Sequence, residues 1–533
     1  MLSRTGFASR RRGVVLLAVL LIVVVLLLAV FEFGEWMTNE HRATNGFQRA
    51  VQTRALADSG VNYTAAVLSN ADAMTNILNG NPYDNAQAFQ SVTVNDTGKG
   101  RPGVFTVLSL LSPDDPNATS QPYRFGVADE AAKINVNALL ALDNGKGDVG
   151  FQILMDLPNM TEDVANSILD WLDPTSDTPR SDGAKDDYYS SLSPPYHCKN
   201  GPIDSLEELL LVKGVTPQLL FGNDRNRNGV LDPDEDDGSG QVDLGWSAYL
   251  TVYSREPNTD SQGNPRIYIN DSDLNALATN LSNVLSTDMA NYILAYRLYG
   301  PAPAAKAAAG AAASPTPAYT PLPGSDQTTV QSQLRTARAS SSKQKPQQIN
   351  SVYDLIGSSV PVPTGTAPGS RTISLPCPLN DPGQLQQQLP LLLDETTTTL
   401  NTDLTPRINV NTASQTVLET IPGLQDGDIQ NILSTRPDPT ANQAPDPSFQ
   451  TPAWLLTEGN LSEATLKAIA PYITARSQVY RFQVLGYYQG GTGPVSRVEA
   501  VVDANNGRPR IVYRRDLTEL GTGFDLSQIQ AGQ

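Results

Sequence analysis

The chain has 533 residues, with 55 Asp and Glu against 37 Lys and Arg, and a formal net charge of −18. That acidity argues against binding a phosphate backbone, which draws on Lys and Arg. With two histidines, His41 and His197, and no G-x-S-x-G or H-E-x-x-H motif, the chain does not read as an enzyme of the Ser-His-Asp or His-zinc kind. No enzyme is expected.

Arg4 and Arg10-Arg11-Arg12 precede Gly13, and Val14 to Phe31 carries no charge. Eighteen residues at about 1.5 Å each span roughly 27 Å, close to the hydrocarbon thickness of a bilayer. The basic flank leaves residues 1–13 in the cytoplasm and the remainder outside. A secretory signal would place a small-x-small cleavage site after the apolar run, and Leu26 to Phe33 has none. The Gly13-Val14 junction instead resembles a type IV prepilin leader, cut after the Gly so that the apolar run stays on the mature protein. The alternative is a plain anchor with an incidental Gly.

The anchor is expected to continue as a helix to about Asn70, with Ala50, Val51, Leu56, Ala57 and Val61 at roughly helical spacing. Asn79-Gly80, Asn81-Pro82 and Asn95-Asp96 mark turns. Strands are expected at Val104–Leu110 and Tyr123–Val127. Near the C-terminus they are expected at Val479–Val484, Arg497–Val502 and Ile511–Tyr513, with turns at Gly490-Gly491 and Asn506-Gly507. A long helix on a small antiparallel sheet is an α+β arrangement, here carrying a very large insertion.

The insertion repeats internally. Ile134-Asn135-Val136-Asn137, Ile267-Tyr268-Ile269-Asn270 and Ile408-Asn409-Val410-Asn411 each lead to a helix with a paired Ile-Leu, at 168–169, 293–294 and 432–433. Ser205-x-x-Glu208, Ser351-x-x-Asp354 and Thr451 suggest a capped helix late in each unit. The units resemble helix-hairpin-helix modules. Such modules grip phosphate, but Glu162 and Asp163 follow the first hairpin and Asp426 and Asp428 the third. Acids there repel phosphate, so protein packing is the expected role and no nucleic-acid partner is expected. Pro301–Gly324, Ser340–Gln348 and Pro361–Asn401 read as linkers by composition.

Asp224 to Glu235 fits the EF-hand loop pattern. Asp224, Asn226 and Asn228 supply side-chain oxygens, Gly229 the sharp turn, Val230 its carbonyl, and Asp232 and Glu235 further oxygens. Calcium takes six to eight such hard ligands, and a structural calcium is expected here. The alternative is a solvated acidic turn. In the stretch from Asp170 to Asp187, caps and Asx-turns are favoured, with a second metal left open. Whether Cys198 and Cys377 pair is also open.

Several segments together resemble the K-type minor pseudopilins of type II secretion, the general secretion pathway protein K family. They are the Gly13-Val14 junction, Asp170-Trp171 to Tyr188-Tyr189, Asn200 to Leu210, Ile408 to Ala413, and Tyr513-Arg514-Arg515. The resemblance implies a leader at 1–13, a membrane helix at 14–33 and a pilin-like domain from 34–133 and 475–520. The internal repeats place helical units at 134–266, 267–360 and 408–474, with a linker at 361–407, and the third unit and the Ala/Pro-rich linkers exceed the two-part insertion usual in the family. The resemblance implies an inner-membrane anchor, a periplasmic globular part, and a place at the pseudopilus tip that helps initiate assembly and secretion. The implied partners are the I- and J-type minor pseudopilins, the prepilin peptidase, the inner-membrane secretion platform and secreted cargo. Position five of the mature chain is Ala18, where most pilins carry Glu. A tip subunit has no neighbour above whose ammonium needs that charge. The competing reading is a membrane-anchored DNA-uptake or adhesion subunit of a type IV pilus.

Processing after Gly13 is predicted to leave Val14 as an N-methylated first residue. Gly13→Leu should leave an uncut precursor by intact mass, whereas cleavage beyond Phe31 would refute the leader.

Overall fold

The computed structural model describes residues 12–94, 101–143, 148–303, 319–340, 346–365, 370–441, 444, 446–491 and 493–530. The expected Asn95-Asp96 turn lies outside them, as does most of the Ala/Pro-rich segment. Helix α1 runs from Arg12 to Ser69, and its first part is long and apolar enough to cross a membrane. Residues 14–50 are exposed throughout.

The seven strands of the principal sheet are β1 (Val92–Val94), β2 (Gly103–Leu110), β3 (Tyr123–Arg124), β4 (Ala128–Asp129), β5 (Val479–Tyr488), β6 (Ser496–Asp503) and β7 (Arg510–Asp516). The order is β1-β2-β5-β6-β7, antiparallel throughout, with β3 on β2 and β4 on β5. Of Tyr123–Val127 only Tyr123-Arg124 is strand, but the other four expected strands are realised. So are both turns, where Gly490, Gly491, Asn506 and Gly507 have positive φ.

Ala57, Val61, Ala65 and Leu68 form the buried stripe of α1, against Phe105, Val107, Phe482, Val484, Val498 and Ala500. Ala50 and Val51, expected on that stripe, are exposed because they lie on the part of α1 that extends past the sheet. The crossing is close enough to require glycine. A Cβ on Gly486 would lie 2.2 Å from Thr53 O and 2.5 Å from Ala57 N, and one on Gly60 would lie 2.5 Å from Val484 Cγ1. Arg54–Asp516 and Arg514–Asp58 ion pairs flank the contact.

The insertion leaves the sheet after β4 and returns at β5. Each sequence repeat is closed by a two-residue parallel pair. Ile134-Asn135 pairs with Leu250-Thr251, Ile267-Tyr268 with Thr396-Thr397, and Ile408-Asn409 with Ile473-Thr474. The last Asn of each tetrapeptide bonds the backbone ahead of the late helix. Asn137 exchanges two bonds with Ile203 (3.0 and 2.8 Å), Asn270 two with Ile349 (both 2.9 Å), and Asn411 donates to Phe449 O at 2.8 Å. Between these points each unit carries two helices in contact: α2 (Val149–Met155) with α3 (Glu162–Leu172), α4 (Leu274–Val284) with α5 (Thr287–Tyr299), and, beyond the second unit, α8 (Gln415–Glu419) with α9 (Asp426–Thr435).

Two expectations are corrected. Residues 361–407 are not a bare linker. Ser359–Pro363 and Thr372–Pro376 form a hairpin, α7 spans Pro382–Glu395, and the Thr run supplies the closing strand of the second unit. Leu389 and Leu392 of α7 are fully buried, an apolar stripe masked by the surrounding Gln. Between the segments expected as linkers at 301–324 and 340–348, α6 (Gly324–Ser340) buries Val330 and Leu334. The capping box is present at Ser351 and Asp354 but not at Ser205, whose side chain makes no cap bond. There Glu208 is taken by Trp171 Nε1 at 3.1 Å and Lys199 Nζ at 2.8 Å. Thr451 does not cap either, and its hydroxyl is buried without a partner.

Gly486→Ala is predicted to destabilise the fold by at least about 2 kcal/mol, because the added methyl meets backbone that cannot yield. Denaturation of the full chain checks this against Gly427→Ala, where a Cβ meets nothing within 4 Å. Equal stability of the two variants would refute it.

Candidate metal loop and its junction with the sheet

The 224–235 loop follows a short helix, Pro217–Phe221, that Thr216 caps through Leu219 N at 3.2 Å. Gly222 then turns the chain with φ +63°. Inside the loop Gly229 has φ +68°, the sharp turn its position requires. Asp224 accepts from Asn228 N at 3.0 Å and Gly229 N at 2.9 Å. Glu235 accepts from Arg225 N at 2.8 Å and Asn226 N at 3.3 Å, closing the loop end to end. Asp232 accepts from the amides of Asn226 (2.6 Å) and Asn228 (3.0 Å).

Asp224, Asn228 and Glu235 are buried. Burial, reinforced by the charge of Glu235, pushes the Asp224 carboxyl up to about 6 against the hydrogen bonds from the Gly229 and Asn228 amides. Two buried carboxylates in one loop are costly without a cation. Among the described residues no group of three or more His, Cys, Asp or Glu could by itself hold a metal ion. A cation here would therefore draw also on Asn226, Asn228 and the Val230 carbonyl. The oxygen-only donor set fits calcium rather than a softer metal. The fit requires the amides now facing Asp232 to turn their oxygens inward. Asn228 is the more tightly held, since it also accepts from Val230 N at 2.7 Å and donates to Gly523 O at 2.6 Å.

The loop lies where the first helical unit meets the sheet. Glu207 accepts from Arg227 Nη1 at 3.0 Å, from Arg515 Nη1 on β7 at 2.5 Å and from Tyr513 OH at 3.2 Å. Burial works to raise Glu207, but the Arg227 bond and the charges of Arg227 and Arg515 prevail and hold it at about 2. Nearby, Arg481 on β5 pairs with Glu130 at 2.5 Å and Glu499 at 3.0 Å. Burial pulls Lys133 down to about 8 despite Glu130, and its ammonium donates to Ser247 O at 2.7 Å. Asp129, at the exit from β4, accepts from Asn409 and Thr412 of the third unit, both at 2.7 Å. Asp129, Lys133, Glu207, Arg227, Arg481 and Glu499 border a cleft of about 830 Å³ between the sheet and the first and third units.

The second acidic stretch is committed to structure. Fully buried Asp170 pairs with Arg180 Nη1 at 2.8 Å and accepts from Arg180 N (3.0 Å) and Ala184 N (3.1 Å). Trp171 packs edge-on against Tyr189 with centroids 5.0 Å apart. Cys198 and Cys377 are buried, unpaired thiols. Gly13 and Val14 lie exposed in the first turn of α1. Sequence reasoning missed Glu207 and Arg481, whose partners Arg515 and Glu130 are remote in the chain.

The Glu207 network carries a pH signature. Its folded value of about 2 lies below the free value of 4.5, so its contribution is complete above about 4.5 and is lost as pH falls toward 2. Glu207→Gln should lower the melting temperature at neutral pH and shrink the gap to wild type as pH falls through that window. A gap independent of pH would refute the role of its charge.

Residues 132–221 match the family model of type II secretion system protein K, covering the start of the insertion through the helix ahead of the loop. The putative type II secretion system protein K of Escherichia coli K12 is 37% identical over 59 residues, which is 11% of this chain and 18% of that relative. The matched stretch thus spans less than a fifth of the relative's length. A chain in the crystal structure of the GspK–GspI–GspJ complex from enterotoxigenic Escherichia coli aligns over 90% of this chain and 99% of its own. At 11% identity and a TM-score of 0.37, that likeness is too weak to bear on the fold. The family likeness to type II secretion system protein K thus rests on residues 132–221.

Proposed function

We propose that the chain is a minor pseudopilin of type II secretion, acting at the pseudopilus tip to help initiate assembly and secretion across the outer membrane. The observation that carries this reading is the joining of two parts. A protein K domain at 132–221 is inserted in a sheet that packs on a membrane-length helix. In this reading the prepilin peptidase cuts after Gly13, α1 anchors the chain in the inner membrane beside the secretion platform, and the sheet and insertion lie in the periplasm. The function is architectural, with no catalytic step. Ala18 suits a subunit with no neighbour above it, since a lone Glu in lipid would cost about 2.5–3.5 kcal/mol on insertion scales.

The partners are the I- and J-type minor pseudopilins, with secreted cargo meeting the exposed tip. The helical units act as helix-hairpin-helix-like packing modules. Calcium, held by Asp224, Asn226, Asn228, Val230, Asp232 and Glu235, stiffens the first unit. The DNA-uptake alternative gains no support from the charge, because the loop ahead of α9 leads into Asp426 and Asp428 and the chain as a whole is acidic.

The test is co-purification of this chain with the I- and J-type pseudopilins of the same secretion system. A stable ternary complex is expected. Failure to associate with either, together with retention on double-stranded DNA at physiological salt, would overturn the proposal.

A further inference from the structure

The 224–235 loop belongs to the first helical unit, yet its back is bonded to the sheet and the C-terminal segment. Asn226 O accepts from Arg497 Nη2 on β6, and Arg227 O accepts from Gln483 Nε2 on β5 at 2.9 Å. Gly523 O accepts from Asn228 Nδ2 at 2.6 Å. Arg497 is 0% exposed, and its Nε and Nη1 have no hydrogen-bond partner. The loop's Asp224 and the sheet's Glu499 are the opposite charges that act on it. The Phe524 ring lies 5.8 Å from the guanidinium carbon. Gly523 has φ +71°, and a Cβ there would fall 1.7 Å from Arg497 Nη1, so a side chain there would displace the guanidinium.

A buried guanidinium so incompletely paired is expensive, and the acidic loop lies against it through the Asn226 carbonyl. We infer that Arg497 is the positioning residue of this loop, latching the helical insertion to the sheet. It holds the Asn226 carbonyl and sets a fixed positive charge near Asp224. The loop is thereby shaped before any metal arrives, and a cation bound there acts on β6 through the Asp224 it shares with Arg497. That last coupling rests on the calcium reading above, whereas the latch does not.

Hydrogen exchange of the full chain in detergent, with chelator and with calcium, separates the two. In chelator, segments 223–236 and 521–525 of Arg497→Gln should exchange about tenfold faster than wild type, the scale of a lost charge-assisted hydrogen bond. Strands β2 and β5 should be unchanged. Arg497→Lys should restore part of the protection. Gly523→Val leaves β6 intact but displaces the guanidinium, and it should loosen the same segments. Unchanged loop protection in both variants, or loosening spread evenly over the sheet in both, overturns the latch. If calcium leaves wild-type loop exchange unaltered, the calcium reading fails, and the latch is still decided by the chelator comparison.

Discussion

The architecture depends on one pairing. The chain leaves the sheet at Asp129 and returns at Val479, and Asp129 is the register partner of Tyr480. Residues 130–478 thus begin and end side by side, so a very long insertion costs the sheet little beyond slow loop-closure entropy. The same corner is tied to the far unit, since Asp129 accepts from Asn409 and Thr412. The three units follow a like economy. Each enters through an Ile-containing tetrapeptide and exits through a strand laid parallel to it, so each closes on itself before the next begins.

Both faces of the sheet are covered, by different means. On one face α1 packs by apolar contact, brought close by Gly486 and Gly60. On the other face charged pairs link the insertion to the sheet: Glu207 with Arg515, and Arg481 with Glu130. Partly buried ion pairs of this kind contribute modest stability but specify geometry, because a displaced partner leaves a buried charge unpaired. A helix that must pack in lipid and on a sheet suits the first kind of contact. A bulky module that must hold one orientation suits the second.

Much of this was legible in the sequence. The alternation in Val479–Val484 and Arg497–Val502 located β5 and β6, and each recurring tetrapeptide supplies one strand of a two-residue parallel pair. The failures have physical causes. Composition hid α7, because Gln residues surround the stripe of Leu389 and Leu392. A local motif misled at Ser205, where Trp171 and Lys199 compete for Glu208. The junction was out of reach, since Arg497 meets Asn226 across 271 residues and no local pattern announces such a bond. The EF-hand pattern located the acidic loop but gave no sign that its back would be bonded to the sheet.

The central claim is that the insertion sits on the sheet in one orientation fixed by this charged junction. The most direct measurement is the distance distribution between spin labels at Thr178→Cys in the first unit and Glu519→Cys beyond β7, both exposed positions. The account predicts one narrow distribution in the otherwise unaltered chain, broadening when Arg515 is replaced by Gln. A broad or multiple distribution in the unaltered chain would contradict it.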